Sequence, residues 1–236
     1  MNEDEHIVEG YLNSQGYKHV IYEPDGNQPP DFLINGNIAC EARRLNQFHM
    51  QNGRYVPLEN LEYPLYQKLN QIFSSFKDSS LPNSAFVGYS IRRPFKLNKT
   101  TVREIEAVCR EQMNHITSRR EYTIADNLYL TFIPSEKLEK QIYLFGSMLD
   151  YNKGGFIISE TIKSLNFIIS EKDRKVEPYS SRYDEWWLIL VNHIFFDIDR
   201  LEKDQIKRGM NRPERFSQIH IISPIERGKG YMVYKS

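Results

Sequence analysis

The segment of residues 30–44 places charged side chains inside a run of mostly apolar residues. Its two apolar arms flank an Asn-Gly pair at positions 35–36, which is a strong signal for a tight hairpin turn. Asp31 opens the first arm, and Glu41 and Arg43 interrupt the second. A carboxylate within a buried strand is costly unless it is paired or bound to a metal. The segment is therefore predicted to be a β-hairpin, and its charged residues are candidates for a site.

The length of the turn decides whether the two carboxylates meet. A two-residue turn would put Asp31 and Glu41 on opposite faces of the hairpin. A three-residue loop over 35–37 would pair Ile34 with Ile38 and set the two carboxylates across from each other. The longer loop also separates apolar from charged side chains better, and a shift of one residue would mix the two faces. The sequence therefore predicts the three-residue loop or an equivalent bulge.

In that register one face of the hairpin would carry only apolar side chains: Phe32, Ile34, Ile38, Cys40 and Ala42.

The motif formed by Pro30-Asp31 and Glu41-Ala42-Arg43 resembles the PD-(D/E)XK nuclease superfamily, also called restriction endonuclease-like. In that superfamily a Pro-Asp pair and a (D/E)-x-K triplet on adjacent strands hold a divalent metal. Many members add a glutamate on the first helix, and Glu9 stands at that place in this chain. The resemblance covers the first third of the chain, and it departs from the family at Arg43, where the family has lysine.

The resemblance implies a metal site and a substrate. Asp31 and Glu41 would bind Mg²⁺ or Mn²⁺, with the Ala42 carbonyl as a third ligand, and Glu9 would bind a second metal or a metal-bound water. Hard oxygen ligands favour these ions over zinc. Such a site can activate water and neutralise charge on a phosphodiester. We therefore expect a metal-dependent nuclease acting on DNA, with RNA as the other substrate that the chemistry allows.

Arg43 complicates this expectation because arginine stays protonated in proteins and cannot act as a general base. It can still bind a phosphate and stabilise an anionic transition state. A metal-bound hydroxide could attack without a general base, or a lysine could be supplied from elsewhere in the chain. Lys68, on the predicted helix after the hairpin, is the nearest candidate in sequence, and Arg44 is a further candidate for substrate contact.

Each candidate also has a structural interpretation. Asp31 could be a turn residue, Glu41 and Arg43 a surface ion pair, and Glu9 and Lys68 ordinary solvated charges. The alternative function is a catalytically silent protein of the same fold that binds nucleic acid or serves as a scaffold. A third interpretation is an α/β domain with an unrelated function, whose hairpin carboxylates face solvent.

The composition limits what kind of nucleic-acid surface the chain can have. The 31 Lys and Arg residues balance the 31 Asp and Glu residues, so any DNA-binding surface must be a local patch. The two cysteines are too few for a disulfide framework or a zinc set. We find neither a signal-peptide pattern nor an apolar run near the ~20 residues of a membrane span, and we expect a cytoplasmic protein.

Hydrophobic periodicity alternates between the strand and helix patterns and predicts an α/β protein. Residues 45–57 are predicted to be a loop, and residues 186–194 a strand buried on both faces. The helices are predicted over residues 4–15, 58–77, 100–119, 159–175 and 198–209. The expected fold is a single restriction endonuclease-like domain over residues 1–236, a central mixed sheet flanked by helices. Enzymes of this kind often dimerise to cut both strands, so a homodimer is compatible with the resemblance.

Overall fold

The structure is a computed structural model that describes residues 1–51, 54–77, 81–138, 141–154, 156–195 and 198–236. The chain forms two compact units: Met1–Gln47 together with Gly155–Ser236, and Phe48–Gly154. The single domain predicted over residues 1–236 stays a prediction. In the sequence, the second unit is inserted between the two segments of the first unit, and it has a hydrophobic core of its own.

The helices are α1 (Glu3–Ser14), α2 (Glu59–Ser75), α3 (Lys99–Gln112), α4 (Ile157–Val176) and α5 (Arg200–Gly209). The strands are β1 (Val20–Tyr22), β2 (Phe32–Ile34), β3 (Ile38–Leu45), β4 (Phe48–Gln51), β5 (Arg54–Pro57), β6 (Asn83–Ile91), β7 (Arg120–Ala125), β8 (Leu128–Glu136), β9 (Tyr143–Asp150), β10 (Glu185–Asn192), β11 (Gln218–Ile222) and β12 (Gly230–Lys235). In the part of the chain that these ranges describe, no helix has the length and apolar character that crossing a membrane requires.

The first unit is built on a mixed sheet with the strand order β1-β2-β3-β10-β11-β12. The central strands β3, β10 and β11 run parallel, and the outer pairs are antiparallel. Every residue of β10 from Trp186 to Asn192 is buried, as predicted for this most apolar run of the chain. Such a strand needs cover on both faces of the sheet.

The two faces of this sheet are covered by different helices. Val8, Tyr11 and Leu12 of α1 pack with Phe32 and Cys40 on one face. Successive residues of a strand point to opposite faces, so Glu41 and Arg43 point away from α1. Both contact α4, which therefore covers the other face. The predicted α/β class with helices flanking a mixed sheet is confirmed for this unit.

The start of α1 shows why the sequence forms a helix there. The Asn2 side chain accepts a hydrogen bond from the Glu5 backbone N–H at 3.0 Å, and the Glu5 carboxylate accepts one from the Asn2 N–H at 2.6 Å. This reciprocal cap satisfies two backbone donors that a helix start leaves unpaired. Gly16 follows the helix with φ +90°, a conformation that glycine adopts without strain.

The second unit has a sheet with the strand order β7-β8-β6-β9. Its hydrophobic core combines residues of this sheet with residues of α2 and α3. The helix predicted over 58–77 is confirmed as α2. Two local predictions were wrong. Residues 45–57, predicted as a loop, contain the hairpin of β4 and β5, and the helix predicted over 100–119 ends at Gln112.

Candidate active site

The hairpin of β2 and β3 has the predicted register. Ile34 pairs with Ile38, which leaves a three-residue loop over 35–37. Asn35 and Gly36 have φ values of +52° and +83°, the left-handed conformations that such a loop requires. The predicted apolar face packs into the core against α1. The carboxylates of Asp31 and Glu41 consequently lie on the other face.

The side chain of Asp31 is hydrogen-bonded to the backbone of β3. Its Oδ2 accepts from the Ala42 N–H at 2.8 Å. Asp31 immediately precedes β2, and Glu41 precedes Ala42 on β3, so this bond places the two carboxylates side by side. The residue Glu41 is completely buried.

A lysine from α4 joins the two carboxylates. Lys172 Nζ donates to Glu41 Oε2 at 2.5 Å and to the Ala42 carbonyl oxygen at 3.2 Å, and it lies 3.9 Å from Asp31 Oδ2. The Lys172 side chain is only 6% exposed. A buried ammonium is tolerated only where charges and acceptors surround it, and this site supplies both.

A second lysine of α4 completes the charge balance. Lys175 Nζ donates to the same Glu41 Oε2 at 2.9 Å. Two carboxylates thus face two ammonium groups, and the cluster of Asp31, Glu41, Lys172 and Lys175 has no net charge. We refer to these four residues as the carboxylate–lysine cluster.

The cluster shifts the pKa values of Asp31 and Lys175. Burial raises the pKa of Asp31 above its ordinary value, and the neighbouring Glu41 charge raises it further. Lys172, the Ala42 N–H and Lys175 oppose this shift and do not cancel it. Burial lowers the pKa of Lys175, but the charge and hydrogen bond of Glu41, together with the charge of Asp31 and a hydrogen bond with Lys172, outweigh burial, so the net shift is upward. A carboxylate whose pKa is raised by burial and by a neighbouring charge is common at functional sites.

The cluster contains an oxygen that the chain leaves unsatisfied. Glu41 Oε1 is buried and has no hydrogen-bond partner among the described residues. Mg²⁺ is commonly held by one or two carboxylates, with waters and substrate phosphates completing its shell. The oxygen donors of Asp31 and Glu41 therefore fit this ion in kind and number.

The predicted third carboxylate does not join this pair. Glu9 is half-buried on α1, which packs against the opposite face of the sheet. Among the described residues, no three His, Cys, Asp or Glu side chains are grouped so that they could hold a metal ion. The structure thus brings Asp31 and Glu41 together and leaves Glu9 apart.

Arg43 lies beside the cluster on the same face of the sheet. Its Nη2 is 3.5 Å from Glu171 Oε2 of α4, and both side chains are more than a third exposed. The Nε of Arg43 is buried without a hydrogen-bond partner among the described residues. This weak pairing leaves the guanidinium able to contact an anion.

The other two predicted substrate contacts, Arg44 and Lys68, have partners outside the cluster. Arg44 points to the face that α1 covers, where its Nε donates to Asp4 Oδ2 at 2.7 Å. Asp4 Oδ1 also lies 2.9 Å from His193 Nε2. Lys68 belongs to the inserted unit, on α2, where it donates to Gln71 at 3.0 Å.

Sequence reasoning missed Lys172 and Lys175, although a signal for Lys172 was present. The apolar stripe of α4 contains Leu165, Ile169 and Val176, and Lys172 occupies the position between the last two. A lysine in the buried stripe of an amphipathic helix requires an anionic partner. That pattern indicates a buried ion pair without identifying the carboxylate.

In comparisons with known proteins, no family model, curated protein or solved structure matches this chain. The resemblance to PD-(D/E)XK nucleases stays a prediction from the residues of the sequence.

Proposed function

We propose that this chain is a metal-dependent nuclease that hydrolyses phosphodiester bonds of DNA at the carboxylate–lysine cluster. One observation carries the proposal. Lys172 supplies an ammonium group to Asp31 and Glu41, whereas β3 offers Arg43 at the place of the motif lysine. The motif combines an aspartate, a second carboxylate and a lysine, and these three groups thus lie close together. The lysine comes from a helix far along the chain.

The two carboxylates would hold the metal. Asp31 and Glu41 offer oxygen ligands, and the buried Glu41 Oε1 has no partner among the described residues. When bound, Mg²⁺ or Mn²⁺ would supply Lewis-acid stabilisation of phosphate charge and acidify a water. Two adjacent carboxylates, one of them buried, gain little in a protein that only binds DNA, because negative charge repels the phosphate backbone.

Lys172 would position the reacting groups. An ammonium has three donors, and Glu41 together with the Ala42 carbonyl accepts from Lys172 Nζ. These two acceptors fix the head group, which leaves donor capacity for a phosphate oxygen or a water. A fixed positive charge in a buried site stabilises the negative charge that develops during phosphodiester hydrolysis.

Arg43 would bind the substrate phosphate. Its pairing with Glu171 is long and exposed, so an incoming phosphate can replace it at low cost. A guanidinium binds phosphate through two parallel hydrogen bonds, which orients the group as well as neutralising it. This role requires no proton transfer and is compatible with a permanently charged side chain.

The charge balance of the cluster favours a second candidate, a catalytically silent protein of similar fold. Lys172 and Lys175 already neutralise both carboxylates, as a purely structural ion-pair network would require. A silent protein would bind nucleic acid through other surfaces, and its stability would not respond to divalent cations.

Cleavage of supercoiled plasmid with Mg²⁺ or Mn²⁺ tests the nuclease proposal. We expect nicking or linearisation by the wild type and its loss in Asp31→Ala. Asp126→Ala removes an exposed carboxylate from the inserted unit and serves as the matched control. Thermal unfolding separates the candidates: divalent cation should raise the Tm of the nuclease by mass action, and Glu41→Gln should abolish that shift. A folded wild type that neither cuts nor gains stability from the ions would contradict the proposal.

A further inference from the structure

The inserted unit contains a groove that the cluster chemistry does not explain. The groove has a volume of about 680 Å³ and lies between α2 and the beginning of α3. Lys68 lines it from α2, and Lys99 and Arg103 line it from α3. We propose that this groove binds the phosphodiester backbone of DNA. The inference rests on the proposed function for the identity of the ligand, DNA, and it concerns residues other than those of the carboxylate–lysine cluster.

The three cations of the groove are not committed to partners of opposite charge. Among the ion pairs of the described residues, none includes Lys68, Lys99 or Arg103. Several other cations of the same unit do form such pairs, including the buried pair of Arg93 with Asp150. Unpaired positive charge concentrated in one groove attracts a polyanion, even on a protein whose net charge is zero.

The acidic residue of the groove does not cancel this charge. Glu106 lines the groove, but its carboxylate lies 3.7 Å from Arg110 one turn further along α3. That pair is neutral as a unit. The first turn of α3 contains no acidic residue, so its free backbone N–H groups add to the positive character.

Two amide side chains of the groove, those of Asn98 and Gln71, have NH₂ donors to offer. Asn98 uses its Oδ1 to cap α3, where it accepts from the Thr101 N–H at 2.9 Å. Gln71 uses its Oε1 to accept from Lys68 Nζ. With these oxygens engaged, the remaining function of both amides is their NH₂ donors. Positive charge combined with hydrogen-bond donors suits phosphate oxygens.

The distribution of the cations favours a chain of phosphates over a single anion. Lys99 and Arg103 are four residues apart, which separates them by about 6 Å along α3. Lys68 is presented from α2. Contacts spread over two helices and one helical turn fit a nucleic-acid backbone better than one isolated phosphate ion, and contacts of this kind carry no base specificity.

The test measures how DNA affinity depends on salt. Fluorescence anisotropy of a labelled duplex, without divalent metal and over a series of salt concentrations, gives the slope of log K against log salt. The variant Lys68→Gln/Lys99→Gln/Arg103→Gln should reduce the magnitude of that slope by about 2 to 3, because each lost phosphate contact removes about 0.9. The control Lys77→Gln/Arg119→Gln/Arg120→Gln removes the same charge from exposed positions of the inserted unit outside the groove.

Each outcome decides for or against the groove. A groove variant that binds with the wild-type slope, an equal loss in the control, or a wild type that does not bind DNA would overturn the inference. Circular dichroism verifies that each variant is folded. The plasmid assay separates the two proposals. A wild type that cuts DNA while the groove variant binds normally refutes only the groove, and a selective loss of affinity without any cleavage refutes only the nuclease.

Discussion

The ammonium of Lys172 lies 2.5 Å from the carboxylate of Glu41, although 131 residues separate them in the sequence. The strand β3 presents Glu41 and the helix α4 presents Lys172, and these elements belong to the two separate sequence segments of the first unit. Their contact makes α4 part of the candidate site, so variants of Lys172 and Glu41 test the proposed site directly.

The first prediction concerns the stability of this ion pair. Lys172→Met should lower the free energy of unfolding by about 3 kcal/mol, because removing one partner leaves a buried carboxylate undercompensated. Lys175 still contacts Glu41, so the loss should lie at the lower end of the range for buried pairs. Chemical denaturation measures the effect.

The matching double variant tests whether the loss comes from the pair. Glu41→Gln/Lys172→Met should be more stable than the sum of the two single changes predicts, since loss of the Lys172 ammonium no longer leaves a Glu41 carboxylate undercompensated. Purely additive losses would show that Lys172 and Glu41 do not interact as the structure describes.

The second prediction concerns Asp31, whose pKa is raised by burial and then by Glu41. Between the ordinary and the raised value the folded protein binds more protons than the unfolded chain, so stability falls as pH rises through that window. Asp31→Asn removes the titration, and its side-chain oxygen can still accept from the Ala42 N–H. The variant should therefore have the higher Tm at neutral pH and no nuclease activity.

The pH dependence provides the check on this prediction. The difference in Tm between Asp31→Asn and the wild type should shrink as the pH falls to about 4, the ordinary range of an aspartate. A wild type more stable than the variant at neutral pH, or a difference that does not change with pH, would contradict the proposed environment of Asp31.

The third prediction concerns Asp4, which anchors α1 to the sheet through Arg44 and His193. Burial raises the pKa of Asp4, but the hydrogen bonds and charges of His193 and Arg44 outweigh burial and lower it overall. The resulting stability is present above the ordinary pKa and is lost as pH falls through the lowered value. Asp4→Asn should cost about 1 kcal/mol at neutral pH and progressively less in acid.

A neighbouring carboxylate provides the control for Asp4. Glu3→Gln removes the same charge from the same first turn of α1, where Glu3 is exposed. Its effect should stay within about 0.5 kcal/mol, the range of an exposed charge near a helix start. Equal losses in both variants would mean that the contacts of Asp4 with Arg44 and His193 add no stability.

The candidate site could be predicted from sequence where its geometry is local. The register of β2 and β3 follows from the turn residues Asn35 and Gly36 and from the alternation of apolar side chains, all within fifteen residues. Lys172 could not be assigned to Glu41, because the parallel pairing of β3 with β10 and the packing of α4 are set by long-range contacts. Proximity in sequence pointed instead to Lys68, which belongs to the inserted unit.

The division into two units was also beyond the sequence pattern. Residue 48 lies in a polar stretch that was predicted as a loop, and both units contain ordinary amphipathic helices and apolar strands, so hydrophobic periodicity does not distinguish the two units. The short strands β4 and β5 were missed because residues 45–57 are polar and have no clear period. Their pairing depends on the hairpin partner more than on the propensity of either strand.

Single-turnover cleavage of DNA by Lys172 variants tests the central claim most directly, at a temperature where each protein is folded. With Mg²⁺ or Mn²⁺ present, we predict that the wild type cuts and that Lys172→Met is slower by about 100-fold or more, the usual effect of removing one group that stabilises developing charge. Lys163→Met, which removes an exposed lysine of the same helix, should cut like the wild type. A Lys172→Met protein with wild-type cleavage, or a folded wild type that leaves DNA intact with both ions, would contradict the account.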